Sequence, residues 1–211
     1  MDNNINEIGI SMKEGNLANV LSLTNEALNN GVKAETVLDV LLEAMGEIGV
    51  RFKNNEVFVP EVLIAARAMN GGIEVLKPLL IEQGVESIGK VIIGTVKGDL
   101  HDIGKNLVKM MMIGAGFEVI DLGVDVTAEK YIDALIESEA DILCMSALLT
   151  TTMTYMKSVI EVLEEKGIRD DVKVMIGGAP ITEKYAEEIG ADKYTPDAAS
   201  AAEVAKLLIS N

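Results

Sequence analysis

The hydrophobic pattern of this chain changes period once, at Gly84, and that change calls for two kinds of structure in one polypeptide. Before Gly84 apolar residues return every three or four positions. Leu17, Val20, Leu21 and Leu23 form one stripe, and Val37, Leu38, Leu41, Leu42, Met45 and Ile48 a second. Val62, Leu63, Ala65, Ala66, Met69, Ile73, Leu76 and Leu80 form a third. Each stripe gives a helix one face to bury against another helix. Breaks fall at Asn29-Asn30-Gly31 and at Asn54-Asn55, and Pro60 suits a first helical turn, where its missing N–H costs nothing. This half predicts a bundle of about four helices and no strand.

After Gly84, short β-branched runs alternate with helical stretches. Strands are expected at 90–95, 117–121, 141–145 and 172–177, with a weak one at Lys193-Tyr194. Helices are expected at 103–113, 128–138, 152–166, 182–189 and 198–209. Strand-helix alternation at this spacing implies right-handed crossovers and a buried parallel sheet. The expected architecture is an all-α four-helix bundle over residues 1–87, followed by a flavodoxin-like (Rossmann-like), doubly wound α/β domain of five parallel strands over 88–211.

Composition narrows the partners. The net charge of −16 repels phosphate backbones and anionic lipid headgroups, so neither nucleic acid nor a membrane is expected as a partner. No apolar run approaches the ~20 residues of a membrane span. A single cysteine, Cys144, permits no internal disulfide, and a cytoplasmic location is expected.

In doubly wound sheets ligands sit beyond the carboxyl ends of the strands, where strand order switches. Three loops therefore carry the interest. The first reads Lys97-Gly98-Asp99-Leu100-His101-Asp102-Ile103-Gly104 and holds the one histidine of the chain. It has no dinucleotide or phosphate-loop pattern. A ligating histidine usually gives its second ring N–H to a carboxylate, a carbonyl or water, and Asp99 is spaced for that. A surface histidine beside a helix-capping Asp102 is the plainer alternative. The second loop, Ser146-Ala147-Leu148-Leu149-Thr150-Thr151-Thr152, offers hydroxyls for a polar ligand, for Asp99 (through Ser146), or for capping. In the third, Gly177-Gly178-Ala179-Pro180, paired glycines permit either close approach to a bulky ligand or a plain turn.

Taken together and in order, these motifs resemble the vitamin B12-binding domain family. The resemblance lies in D-x-H-x-x-G (Asp99, His101, Gly104), then S-x-L (Ser146, Leu148), then Gly177-Gly178, and covers roughly residues 88 to 211. It implies that His101 ligates the cobalt of cobalamin or a related corrinoid, displacing the cofactor's own lower base. It further implies contacts to the cofactor from Asp99, Asp102, Ile103 and Gly104, and a slot for the released nucleotide tail lined by Ser146, Leu148, Thr150, Gly177 and Gly178. Tyr194, Thr195 and Asp197 fall near the family's last tail-contacting loop.

The stretch Met45-Gly46-Glu47-Ile48-Gly49-Val50-Arg51-Phe52, with Phe58-Val59-Pro60-Glu61-Val62-Leu63, looks like the helical cap of corrinoid methyl carriers. That likeness implies that Phe52 and Val59 cover the upper face of the corrin. The bland alternative makes Phe52 and Phe58 bundle core. The chain has no substrate barrel, reductase motif or hydrolase elbow. It reads as a non-catalytic carrier that takes a methyl group on cobalt from a substrate-specific methyltransferase to a second one, whose acceptor is tetrahydrofolate or a thiol. Cognate methyltransferases and a corrinoid reductive activator are the implied partners. The alternatives are an adenosylcobalamin-dependent mutase small subunit and a B12-dependent sensor.

Overall fold

The computed structural model describes residues 2–210. The chain divides into two compact units: one runs to Ser87 and includes Gly114–Gly116, and the other holds Ile88–Ile113 and the chain from Phe117 on.

The first unit is helical: α1 (Asp2–Lys13), α2 (Leu17–Asn29), α3 (Ala34–Lys53) and α4 (Val59–Glu82). Helix α1 packs on α2 and α3, and α4 on both α2 and α3. The second and third stripes bury as expected, with Val37, Leu41, Met45 and Ile48 on α3 and Val62, Met69 and Leu76 on α4 inaccessible to solvent. Leu63 is exposed instead, on the far side of α4. Helix α2 also differs from its leucine stripe. Its buried line is Val20, Thr24 and Ala27, spaced i, i+4, i+7, and Leu17, Leu21 and Leu23 sit half-buried beside it.

Local chemistry sets the helix ends. Asn16 caps α2 by accepting the Asn19 N–H. The Phe58 N–H donates to Glu61 at 2.7 Å, and Pro60 lies in the first turn of α4. Helix α4 carries Pro78 through its last turns and stops at Gln83, where Gly84 turns left-handed at φ 67°.

The second unit is the expected α/β fold. Strands β1 (Lys90–Thr95), β2 (Glu118–Asp121), β3 (Ile142–Ser146), β4 (Lys173–Gly177) and β5 (Lys193–Tyr194) pair in the order β2-β1-β3-β4-β5, all parallel. Helices α5 (Ile103–Gly114), α6 (Ala128–Ser138), α7 (Thr150–Met153), α8 (Tyr155–Glu165), α9 (Glu183–Ile189) and α10 (Ala198–Ile209) connect or follow them. Ile92, Leu143, Met145, Val174 and Ile176 share a core with Tyr131 of α6 and Val159, Ile160 and Leu163 of α8.

One expected helix is two. The stretch 152–166 breaks at Thr154, which separates α7 from α8 and bonds its hydroxyl back to the Thr151 carbonyl at 3.2 Å. Threonine hydroxyls compete for backbone groups, and a run of them weakens helical continuity. The short α7 begins at Thr150, earlier than the pattern indicated.

Strand order reverses between β1 and β3, so the loops after these two strands meet at their carboxyl ends. That meeting point carries Asp99 and His101.

Candidate corrinoid site

Asp99 is fully buried, and four donors converge on its carboxylate. Oδ1 accepts the His101 N–H at 3.0 Å and faces the His101 ring at Nδ1, 2.7 Å away. Oδ2 accepts the Leu148 N–H at 2.8 Å and the Thr152 hydroxyl at 2.6 Å. Burial pushes this carboxyl up, but the bonds from Thr152, Leu148 and His101 outweigh burial and hold it well below the usual carboxylate range. Asp99 is therefore an anion that only accepts.

The consequence falls on the ring. Facing an ionised carboxylate, Nδ1 of His101 is the nitrogen placed to donate, and Nε2 is the one left free of Asp99. The side chain is 52% exposed, so this nitrogen is reachable from solvent. Thr95 donates its hydroxyl to the His101 carbonyl at 3.0 Å and fixes the loop from beneath.

The two loops that meet at the imidazole expose large aliphatic side chains: Leu100 at 71%, Ile103 at 74%, Leu148 at 44% and Leu149 at 43%. Gly104, in the first turn of α5, has open space where a Cβ would stand. Asp102 lies just ahead of α5 and accepts the Asn106 side-chain amide at 2.9 Å. Ser146 closes β3, half-buried, and its carbonyl accepts the Val96 N–H at 3.0 Å. Thr150 is exposed at the start of α7.

Gly177 ends β4, and a Cβ there would stand 3.4 Å from the Thr195 carbonyl oxygen. Gly178, at φ 132°, packs against the Ala147 backbone so closely that no side chain fits. Tyr194 is half-buried on β5 and Thr195 buried just after it. Asp197 caps α10, its two oxygens engaged by the Ser200 N–H and hydroxyl, each at 2.8 Å. Phe52 and Val59 belong to the helical unit, where both are half-buried, while Phe58 is 63% exposed and is not bundle core.

Known proteins resemble this chain over most of its length. Residues 89–204 match the B12 binding domain family, and residues 5–77 match a second family also described as a B12 binding domain. The dimethylamine corrinoid protein of Methanosarcina barkeri is 45% identical over 192 residues, covering 90% of each chain. The chain belongs to the B12-binding corrinoid proteins. Among solved structures, the methanol:cobalamin methyltransferase complex of Methanosarcina barkeri superposes with a TM-score of 0.91 at 30% identity, over all of this chain and 81% of that one. The monomethylamine corrinoid protein of the same organism gives 0.56 at 36% identity, over 98% and 99% of the two chains.

The residues present fit a corrinoid. A corrin ring would bring its own donors for cobalt, so the protein would need to offer one more, and Nε2 of His101 could be that donor. Among the described residues no cluster of three or more His, Cys, Asp or Glu stands ready to hold a bare metal ion. The exposed aliphatic side chains beside His101 suit the broad apolar face of a corrin ring better than they suit water.

The hydroxyls of the second loop offer Ser146 as one holder of Asp99. Thr152 is the residue that does it. Ser146 ends β3, whereas Thr152 reaches Asp99 from the first turn of α7.

Proposed function

We propose that this protein carries a methyl group, held on the cobalt of a bound cobalamin or related corrinoid, between a substrate-specific methyltransferase and a second methyltransferase. The observation that carries the reading is the Asp99–His101 pair, with Nδ1 at 2.7 Å from a buried anion and Nε2 left to bind the lower face of the cofactor. When bound, the corrinoid supplies the metal that accepts and releases the methyl group.

The chain's own residues do the rest. His101 would supply a nitrogen to the cobalt. Asp99 holds the ring proton at Nδ1 and the ring's orientation, and Thr152 and the Leu148 N–H hold Asp99. Within residues 88–211, Ile103, Gly104, Ser146, Leu148, Thr150, Gly177 and Gly178 would shape the corrin and tail contacts, with Tyr194 and Asp197 at the last loop. Phe52 and Val59 of the helical part, residues 1–87, are cofactor contacts by resemblance to the methyl carriers alone.

Relatives named for dimethylamine support a methylated amine as donor. The complex of a related corrinoid protein with its methyltransferase supports a methyltransferase as partner here. A reductive activator completes the system, and with no helix among the described residues long and apolar enough to cross a membrane, the cytoplasm is the proposed location.

The test is a single-turnover transfer. Protein reconstituted with hydroxocobalamin, reduced, and mixed with a dimethylamine-specific methyltransferase and methyl-labelled dimethylamine takes up about one label per corrinoid. A corrinoid-loaded, reduced protein that takes up no label from any methylated amine contradicts the donor assignment. A protein that retains no corrinoid contradicts the function.

A further inference from the structure

Among the described residues, three that are not glycine adopt a left-handed backbone: Asn55, Asp125 and Glu139. Glu139 ends α6, and Asn55 follows the end of α3, where such a turn stops a helix. Asp125 ends no helix. It lies in the loop between β2 and α6 at φ 54°, a conformation unfavourable for a residue with a side chain, which persists where neighbouring contacts over-determine it.

Its contacts are to the loop that bears His101. The Asp125 N–H donates to the Asp99 carbonyl at 3.1 Å, and Asp125 Oδ1 accepts the Gly98 N–H at 2.7 Å. Next to it, the Val126 N–H donates to the Thr95 carbonyl at 3.0 Å, and Val126 bridges Val96. Thr152 and Leu148 thus grip the Asp99 side chain, while Asp125 grips the main chain at Gly98 and Asp99.

We propose that Asp125 is a positioning residue for the His101 ligand. This proposal rests on the reading of His101 as the cobalt ligand. Asp125 touches neither the ring nor any group assigned to the cofactor. It clamps the two peptide units that place Asp99, and Asp99 aims the imidazole. A metal ligand works only when held within about 0.5 Å of its productive position, and Asp125 adds two main-chain bonds at Gly98 and Asp99 to those that Thr95, Leu148 and Thr152 already make to this loop. The left-handed turn is what lets one residue both donate to Asp99 and accept from Gly98.

The test uses the full chain labelled with 15N-histidine, reconstituted with hydroxocobalamin and reduced to cobalt(II), and reads the 15N splitting in its electron paramagnetic resonance spectrum, which only the ring of His101, the one histidine of the chain, can produce. Asp125→Gly keeps the backbone angle and removes the carboxylate, so it folds without strain. It is expected to lower the equilibrium constant for imidazole ligation roughly tenfold, as befits loss of one hydrogen bond to a carboxylate. Asp125→Asn, which keeps an acceptor oxygen and tolerates the turn, is expected to restore most of the signal. Glu139→Ala alters a left-handed position remote from this loop in sequence and is expected to leave the signal as in wild type.

Wild-type nitrogen splitting in Asp125→Gly, with the splitting abolished in His101→Ala, overturns this proposal alone. An equal loss in Glu139→Ala also overturns it, since general backbone strain then explains the effect. A wild type that retains the corrinoid but shows no 15N splitting overturns the ligand reading, and this proposal with it.

Discussion

The Thr152 hydroxyl and the His101 ring bond to opposite oxygens of one buried carboxylate, 2.6 Å from Oδ2 and 2.7 Å from Oδ1 of Asp99. The hydroxyl after β3 and the imidazole after β1 are therefore coupled through a group that solvent does not reach. Thr152→Val keeps the shape and removes the donor. It is expected to cost about 1.5–3 kcal/mol, the value of a hydrogen bond to a charged group, while Thr152→Ser stays close to wild type. Urea unfolding of the cofactor-free protein measures both. Equal stabilities for Val and wild type would show that the bond contributes nothing.

A second carboxylate, half-buried, sits at the end of β2 beside the buried Lys105. Asp121 accepts Lys105, whose side chain is 2% exposed, at 2.5 Å, Lys109 at 3.1 Å and the Gly123 N–H at 2.9 Å. Burial pushes the Asp121 carboxyl up, but these bonds and the Lys105 charge prevail and hold it below its ordinary 3.8. A carboxyl lowered by folding stabilises fully above its unfolded value, and the contribution is lost as pH falls through the folded value. Asp121→Asn leaves Lys105 buried without its counter-charge and is expected to cost about 3–5 kcal/mol near pH 7. The gap between wild type and variant should narrow as urea titrations move below about pH 4. A gap that widens there contradicts the assignment.

How much of this was legible beforehand depended on what periodicity can register. The period change at Gly84, the five strands and the burial of the α3 and α4 stripes follow from spacing alone, because burial imposes spacing. Strand edges moved by a residue: β2 starts at Glu118 and β3 runs to Ser146. The break at Thr154 went unread because a hydroxyl that turns back on its own helix leaves no mark in an apolar pattern. The Asp99–His101 spacing stood out as a motif, but Thr152 and Asp125 reach the same loop from 53 and 27 positions away in sequence, and only tertiary structure brings such partners together.

Cys144 lies inside β3, and burial pushes its thiol up to about 12. Reaction requires the thiolate. In the folded protein at pH 8 Cys144 should therefore resist aromatic disulfide reagents, and in urea it should react completely. Rapid stoichiometric labelling without denaturant would contradict its placement.

Within the helical unit, Phe58 and Met69 make a paired test. Met69 is inaccessible and Phe58 is 63% exposed. Met69→Ala should cost about 2–5 kcal/mol through lost burial and the cavity it leaves. Phe58→Ala should change stability by no more than about 0.5 kcal/mol, as exposed substitutions do. Chemical unfolding of both variants decides, and a large loss in Phe58→Ala would place that ring in the core.

The central claim is that His101 ligates the cobalt of a bound corrinoid. Its most direct test is the visible spectrum of the protein after reconstitution with hydroxocobalamin and removal of free cofactor, for wild type and His101→Ala. The account predicts retained corrinoid in wild type and a changed lower-ligand signature in the variant. A wild type that retains no corrinoid under either oxidising or reducing conditions, or a variant whose spectrum matches wild type, would contradict it.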